Sequence, residues 1–320
     1  MVFVMLDLLS DILTNLSVRG TLYFRTAFTA PWGVAVPSFE NVARFHFVHR
    51  GACYVDVEGA NTVVALEQGD LVIIPHGAPH SLYGSPQTKD QVLPLDTVLE
   101  QSGYTGTGVL VHGGGGDDRE TQLICGHISF DPSANHLLMD RLPPVLHLRN
   151  YGEAAGKWME ATLRVIGEEA GGLRLGGDLI ALKMSEAIFA QAIRSYFESD
   201  DAGVHGLAGF SDPNLCRALE GFHKAPDQEW SVETLAQAAG MSRTSFAVLF
   251  QKKMDMTPMQ YVTSWRMEIA KKHLAVFGSS LSDAAESAGY ASDSAFARVF
   301  KKETGITPAA FRKLAQSQGV

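Results

Sequence analysis

Cysteine is scarce in this sequence. The three present, Cys53, Cys125 and Cys216, are odd in number and far apart, which gives neither a disulfide framework nor a paired-cysteine zinc pattern and fits a reducing cytoplasm. Long apolar runs are also missing: no stretch approaches 18 uninterrupted apolar residues, so no membrane span is expected. The N-terminus, MVFVMLDLLSDILTNL, lacks a basic leader and carries Asp7 and Asp11. Leu9, Ile12, Leu13 and Leu16 recur there at helical spacing, which predicts a packing helix and not a signal peptide.

Positive charge is in deficit. The chain of 320 residues holds 26 Lys+Arg against 35 Asp+Glu, a net of −9, an unpromising balance for a polyanion binder. The deficit is unevenly spread, however. Residues 209–320 carry 13 Lys+Arg and 11 Asp+Glu, a net of +2, which leaves −11 on the first 208, so any surface for nucleic acid belongs to the C-terminal part. With 46% apolar and 19% charged residues, the length suits two domains or more, each with its own core.

From about Leu22 to Phe130 short β-rich runs (RFHFVHRG, CYVDVEG, TVVALEQGD, LVIIPHG, TQLICGHISFD) alternate with Gly and Pro, the pattern of a β-sandwich or barrel. The run from His112 to Asp118, with four consecutive glycines, reads as a hairpin loop without strand or helix. Between Glu153 and Glu198 the period becomes helical, in two segments broken by Gly171-Gly172 and Gly176-Gly177. In the second, Leu182, Phe189, Ile193 and Tyr196 form one stripe. This helical hairpin either covers an open face of the β domain or forms a self-complementary homodimer surface. Gly203 to Gly209 reads as a linker. The expected architecture is multidomain α+β: an N-terminal β domain over 1–150, the hairpin and linker over 151–208, and an all-α domain over 209–320.

The all-α domain contains a repeat. SVETLAQAAGMSRTSFAVLFQKKMDMTPMQY, from Ser231, returns about fifty residues later as SLSDAAESAGYASDSAFARVFKKETGITPAAF. Ala236 and Gly240 match Ala285 and Gly289. After one inserted residue, Phe246, Phe250, Thr257, Pro258 and Tyr261 match Phe296, Phe300, Thr307, Pro308 and Phe311. Ser231 and Ser280 N-cap a first helix, Gly240 and Gly289 supply the turn, and Ser242 and Ser292 cap a second. In that second helix Phe246, Leu249 and Phe250, or Phe296, Val299 and Phe300, pin one face to the core. Two helices joined by a tight Gly turn, the second with a free face, make a helix-turn-helix. Between the copies a helix from Pro258 to about Val276, with Arg266, Ala270 and Leu274 spaced by four, spans roughly 27 Å. That length holds two readers in neighbouring major-groove segments of one DNA face.

The segment from Asp212 to Lys313 resembles the AraC/XylS family of bacterial transcription regulators, on both helix-turn-helix copies, the connecting helix, the GYASDSAF stretch and both Thr-Pro steps. The resemblance implies sequence-specific binding to a double-stranded DNA operator in the cytoplasm, associated with the nucleoid, and contact with RNA polymerase if the output is activation. The outward faces are Arg243, Thr244, Ala247, Val248 and Gln251 on the first reader, and Asp293, Ser294, Ala297, Arg298 and Lys301 on the second. Val248 departs from the family, where a long polar residue or Arg is common. Ala247 and Val248 suit thymine methyls, and Arg298 a guanine edge or a phosphate.

The β domain resembles a cupin barrel. Gly69 to His80, GDLVIIPHGAPH, fits the second cupin motif, G-x5-P-x-G-x2-H. The first motif fits poorly: Arg44 stands seven residues before Gly51, where a metal-binding cupin has Glu, and the paired histidines upstream of it are missing. The resemblance implies a sensor for a small-molecule effector and no enzyme activity; the alternative is a cupin oxygenase or isomerase with an accessory DNA-binding domain. His46, His76, His80 and His127 come from segments that a barrel brings together, Arg44 sharing a strand face with His46 and Cys125 with His127. His46, His80 and His127 are the candidates either for lining an effector pocket or for holding zinc or another divalent metal.

Overall fold

The computed structural model describes residues 7–106, 108–115, 120–130, 137–149, 162, 165, 175–199, 201–276 and 278–317. Its contacts divide the chain into two units, Val18–Phe130 with Leu142–Tyr196, and Met1–Ser17 with Asp131–Arg141 and Phe197–Val320. The N-terminal segment thus groups with the helical unit, although it was expected in the domain over 1–150.

The first unit is built on two sheets. One runs in the order β11 (Leu146–Leu148), β6 (Leu71–Ile74), β3 (Val42–Arg50), β10 (Glu120–Ser129), β1 (Arg19–Thr29), β9 (Val109–Gly113). The other runs β5 (Val64–Glu67), β4 (Ala52–Val57), β7 (His80–Tyr83), β2 (Gly33–Val36), β8 (Leu93–Pro94). Strand β4 alternates cleanly, Cys53, Val55 and Val57 inward, as a strand with one wet face should. The Leu-Val-Ile-Ile of β6 is buried throughout, the mark of a strand covered on both faces. Val34, Val36, Val55, Val57 and Leu82 from the second sheet share a core with Val48, Val72, Ile74, Leu123 and Cys125 from the first.

The cupin-like motif explains itself in this frame. Gly69, at φ +93°, turns the chain into β6, and Gly77, at φ +60°, turns it out again. A Cβ on Gly77 would collide with the Phe39 carbonyl oxygen, so a side chain is excluded there on two counts.

The expected glycine loop begins later than the sequence suggested. His112 and Gly113 end strand β9, parallel to β1 and opposite Phe28 and Thr29. Gly113 holds φ +121° hard against the Thr29 carbonyl, a geometry open to glycine alone, so here the residue that usually breaks a strand permits the pairing.

Of the helical hairpin, the second helix is present as α4 (Gly177–Phe197), and the first, residues 162 and 165 apart, lies outside the described residues. Phe189, Ile193 and Tyr196 of the expected stripe are buried. A Cβ on Gly20 of β1 would stand 2.7 Å from the Ser185 Cβ, and the Phe130 and Phe189 rings are 5.8 Å apart. The middle of α4 therefore packs on the sheet, as the covering alternative has it.

The second unit contains α1 (Leu8–Asn15), α3 (Leu137–Arg141), α5 (Asp201–Val204), α6 (Pro213–Lys224), α7 (Val232–Ala239), α8 (Arg243–Met254), α9 (Pro258–Val276), α10 (Leu281–Ser287), α11 (Asp293–Thr304) and α12 (Pro308–Ser317); α2 (Leu95–Ser102) belongs to the first. The expected linker is structured. Ala202 and Leu207 are wholly buried, a 3-10 turn spans Ala208–Ser211, and the Phe210 ring stacks 5.1 Å from that of Phe197. Three glycines signal a flexible tether only where apolar neighbours do not supply a reason to fold. Among the described residues no helix is long and apolar enough to cross a membrane.

Candidate functional site

Each reader is assembled from caps, a turn and an aromatic wedge. Ser231 and Ser280 accept from the backbone N–H three residues on, in capping boxes; Ser242 and Ser292 do the same for α8 and α11. Gly240 and Gly289 hold φ +70° and +72° between the helices. Phe246, Phe250 and Met254 bury one face of α8 and Phe296 and Phe300 one face of α11, each side chain worth about 1.5–3 kcal/mol on burial. The second wedge packs with Met267, Ala270 and Leu274 of α9 and Ala284, Ala285 and Ala288. The Phe250 ring of the first wedge lies 6.0 Å from that of Tyr261 in α9, so α9 serves both readers, and its bounds, Pro258–Val276, are those the sequence predicted.

The opposite faces are free. Arg243, Thr244, Val248 and Gln251 are exposed and Ala247 is half-buried; on α11, Ser294, Arg298 and Lys301 are exposed and Ala297 half-buried. All five of the first reader's residues line one concavity of about 630 Å³, closed by Val232, Lys252, Thr257 and Pro258. The ion pair of Arg243 with Glu233 spans 4.0 Å between exposed side chains, too weak to hold Arg243 away from DNA. Asp293 is different: its carboxylate accepts from the Ser282 hydroxyl at 2.8 Å, which ties the start of α11 to α10. Lys252 belongs to the rim and was not singled out by sequence, since its spacing matches the solvated side of α8 as well as the reading side.

Arg266 of α9, expected only as a spacing marker, has a structural task. Its Nε donates to the Pro226 carbonyl at 2.8 Å and its Nη2 to that of Gln228 at 2.6 Å, and its guanidinium lies 5.9 Å from the centre of the Tyr290 ring. One side chain on the shared helix thus holds the loop before the first reader and the turn of the second.

In the β unit, the register places Arg44 opposite His127 and His46 opposite Cys125. Directly opposed residues share a face, so these four line the inner side of the first sheet. His80, at the start of β7, reaches across: its Nε2 and that of His46 are 2.8 Å apart. His76 is exposed and turns the other way, its Nε2 bonded to the Leu142 carbonyl. A cavity of about 30 Å³ lies here, lined by Thr26, Phe28, Val34, Arg44, His46 and Cys125 among others. Burial holds the His46 imidazole well below its usual range, with the His80 ring and the Arg44 charge adding to it. Burial also pushes His80 and His127 down to about 4, again with help from Arg44. Burial raises the Cys125 thiol and, with Asp70 beside it, pushes Cys53 up to about 12. At neutral pH burial keeps these groups uncharged, beside the Arg44 guanidinium.

The metal alternative fares poorly on this geometry. Among the described residues no three His, Cys, Asp or Glu side chains are placed to hold a metal ion. His46 and His80 meet, but His127 does not complete a set with them. A further pair that sequence did not single out, His147 and Asp70 at 2.9 Å, joins β11 to the turn before β6.

A family model described as Cupin matches residues 7–198, and one described as Helix-turn-helix domain matches residues 235–314. A putative AraC-like transcription regulator of Streptomyces lividans is 31% identical over 96% of this chain and 98% of its own length, and one of Streptomyces antibioticus 30% over 96% and 99%. The HTH-type transcriptional regulator AlkR of Acinetobacter baylyi is 25% identical over 96% and 99%. With both units, both readers and the strut between them in place, the chain belongs to the AraC-like transcription regulators that join an N-terminal cupin domain to a C-terminal helix-turn-helix domain.

Proposed function

We propose that α8 and α11 enter successive major-groove segments of one operator and that a small molecule in the cavity beside Arg44 changes the affinity of that binding. The observation that carries the reading is the pair of matched helices, each with one face fixed by phenylalanines and the other exposed, on the single helix α9. Arg243, Thr244, Ala247, Val248 and Gln251 read the first segment, and Ser294, Ala297, Arg298 and Lys301 the second. In the first reader methyl contacts from Ala247 and Val248 take the place of long polar side chains. Arg298→Ala weakens operator binding by about 1–3 kcal/mol, read by fluorescence anisotropy on a fragment from a bound genomic site; unchanged affinity rejects the assignment.

The β unit acts as a sensor and not as an enzyme, because Arg44 stands where a cupin's metal-binding carboxylate would. Turnover by the full chain with added zinc or iron would reverse this reading. The same proposal includes a homodimer through the start of α4, where Leu179 and Ile180 are exposed, contact with RNA polymerase when the output is activation, and a cytoplasmic, nucleoid-associated site of action. Sedimentation of Leu179→Glu against the parent chain tests the dimer: an unchanged mass removes it.

A further inference from the structure

The two readers carry opposite charges at the same place. Phe246 matches Phe296 and Phe250 matches Phe300, so Arg243, the first residue of α8, is equivalent to Asp293, the first residue of α11. Both are exposed. Elsewhere on the two faces the chemistry can be the same, since Thr244 and Ser294 both offer a hydroxyl and Ala247 and Ala297 both a methyl. The first position alone reverses its charge, from a guanidinium that only donates to a carboxylate that accepts at both oxygens.

The surrounding contact is reversed with it. In each reader the first residue of the second helix is met by the second residue of the helix before it. Glu233 of α7 stands 4.0 Å from Arg243, and the Ser282 hydroxyl of α10 donates to Asp293 Oδ2 at 2.8 Å. The second of these is a proper hydrogen bond. It orients the carboxylate without using up its acceptor sites.

A recognition helix presents its N-terminal residues to base edges in the major groove. A carboxylate there faces a groove lined by phosphates, so it is tolerated only opposite a donor. Guanine shows two acceptors in the major groove, and thymine an acceptor and a methyl group. The adenine amino group lies between two acceptors, its own N7 and the thymine O4, whereas the cytosine amino group has an acceptor on one side only. Cytosine is the base that meets a lone carboxylate with least repulsion.

We propose that Asp293 is a specificity-determining residue that selects a cytosine, its carboxylate accepting from the N4 amino group, where Arg243 in the first reader selects a guanine. This rests on the reading of α8 and α11 as the base-contacting helices. Asp293 acts by rejection as well as by attraction, because an acceptor set against guanine or thymine leaves two acceptors facing each other. The operator segments under the two readers are therefore unlike, and the chain binds in one orientation.

Selection of duplexes by the full chain from a pool randomised across a bound genomic fragment tests the assignment, with Asp293→Ala and Asp293→Asn run beside the parent. The parent enriches cytosine at a position where replacing the C·G pair weakens binding about tenfold. Asp293→Ala reduces that penalty to less than about threefold, and Asp293→Asn moves the preference to adenine, while the preferences at other positions stay as in the parent. Those unchanged positions show that the variants fold. An Asp293→Ala matrix identical to that of the parent overturns the role of Asp293, and so does a loss of all sequence preference in both variants, which would make the residue structural. A preference that changes at a base other than cytosine overturns the base assigned. A parent chain that enriches no sequence removes instead the reading of α8 and α11 on which the proposal rests.

Discussion

Replacing Arg266 with Met keeps most of the stem and removes the fork that joins the two readers. Two charge-assisted hydrogen bonds are lost, at 2.8 and 2.6 Å to the Pro226 and Gln228 carbonyls. Each such bond is worth about 1.5–3 kcal/mol. The site is half-buried, so water replaces part of what is lost, and we expect a total near 2 kcal/mol. The cost should be local. Residues 225–229 precede α7, and Gly289 and Tyr290 lie in the turn between α10 and α11, where a Cβ on Gly289 would stand 2.8 Å from the Arg266 Nη2. Amide hydrogen exchange should therefore accelerate in both segments together, by about 30-fold at 2 kcal/mol, while the centre of α9 stays protected. The functional counterpart is spacing. A rigid pair of readers loses affinity steeply when one base pair is inserted between the two half-sites, and Arg266→Met should flatten that dependence without abolishing binding. An exchange map and a spacing curve that both superimpose on those of the parent chain would refute the claim that Arg266 couples the readers.

Acid should destabilise the β unit. His80 titrates at about 4 in the fold and near 6.5 unfolded, so below pH 6.5 the unfolded chain binds more protons, and stability falls from there until pH reaches the folded value. About 2.5 units at 1.36 kcal/mol each give roughly 3 kcal/mol for this buried group, and His46 acts in the same direction; a thermal midpoint of the β unit that stays flat between pH 7 and 4.5 counters this. Gly77→Ala should cost at least about 2 kcal/mol in urea unfolding, because backbone strain adds to the collision with Phe39. Gly59→Ala, at φ +84° in open space, should cost only the strain, roughly 1 kcal/mol, and equal losses would show that the close approach at Gly77 contributes nothing.

The helical unit was legible because its signals are local. Caps, turn glycines and i, i+3, i+4 aromatics specify each reader within some twenty residues, and the repeat supplies an internal check. Helix α9 has no breaker between Pro258 and Val276, and it runs over that span. The β unit was legible only as a class. Strand runs can be read from alternation, but the sheet order β11-β6-β3-β10-β1-β9 depends on pairings between distant segments that no local pattern encodes. That is why His112 and Gly113 read as loop: glycine is a breaker by propensity, and only the partner strand β1 makes it acceptable. It is also why His76 was grouped with His80. A spacing of four along a strand–turn–strand says nothing about direction once Gly77 reverses the chain.

The N-terminal helix shows where sequence reasoning stops. Its period was plain, and of the expected stripe Ile12 and Leu16 are buried while Leu9 and Leu13 are half-buried, Leu8 taking a buried place that the stripe did not include; periodicity names a buried face and not the surface that buries it. The partner is α6, more than two hundred residues away in sequence. The Asp11 carboxylate meets His223 Nδ1 at 2.7 Å, His223 Nε2 meets the Tyr261 hydroxyl at 2.9 Å, and the imidazole lies 4.0 Å from the Trp265 ring. Burial lowers the His223 pKa while Asp11 opposes it, so the carboxylate partly offsets the cost of enclosing an imidazole among aromatic rings. Residues that looked like a charge exception in an apolar leader and an unremarkable histidine in DPNLCRALEGFH are thus one contact. Neither is interpretable alone, because a buried polar group is explained by its partner. Residues 7–17 therefore belong with the helical unit that carries the DNA readers, tied to it through the Asp11–His223–Tyr261 network.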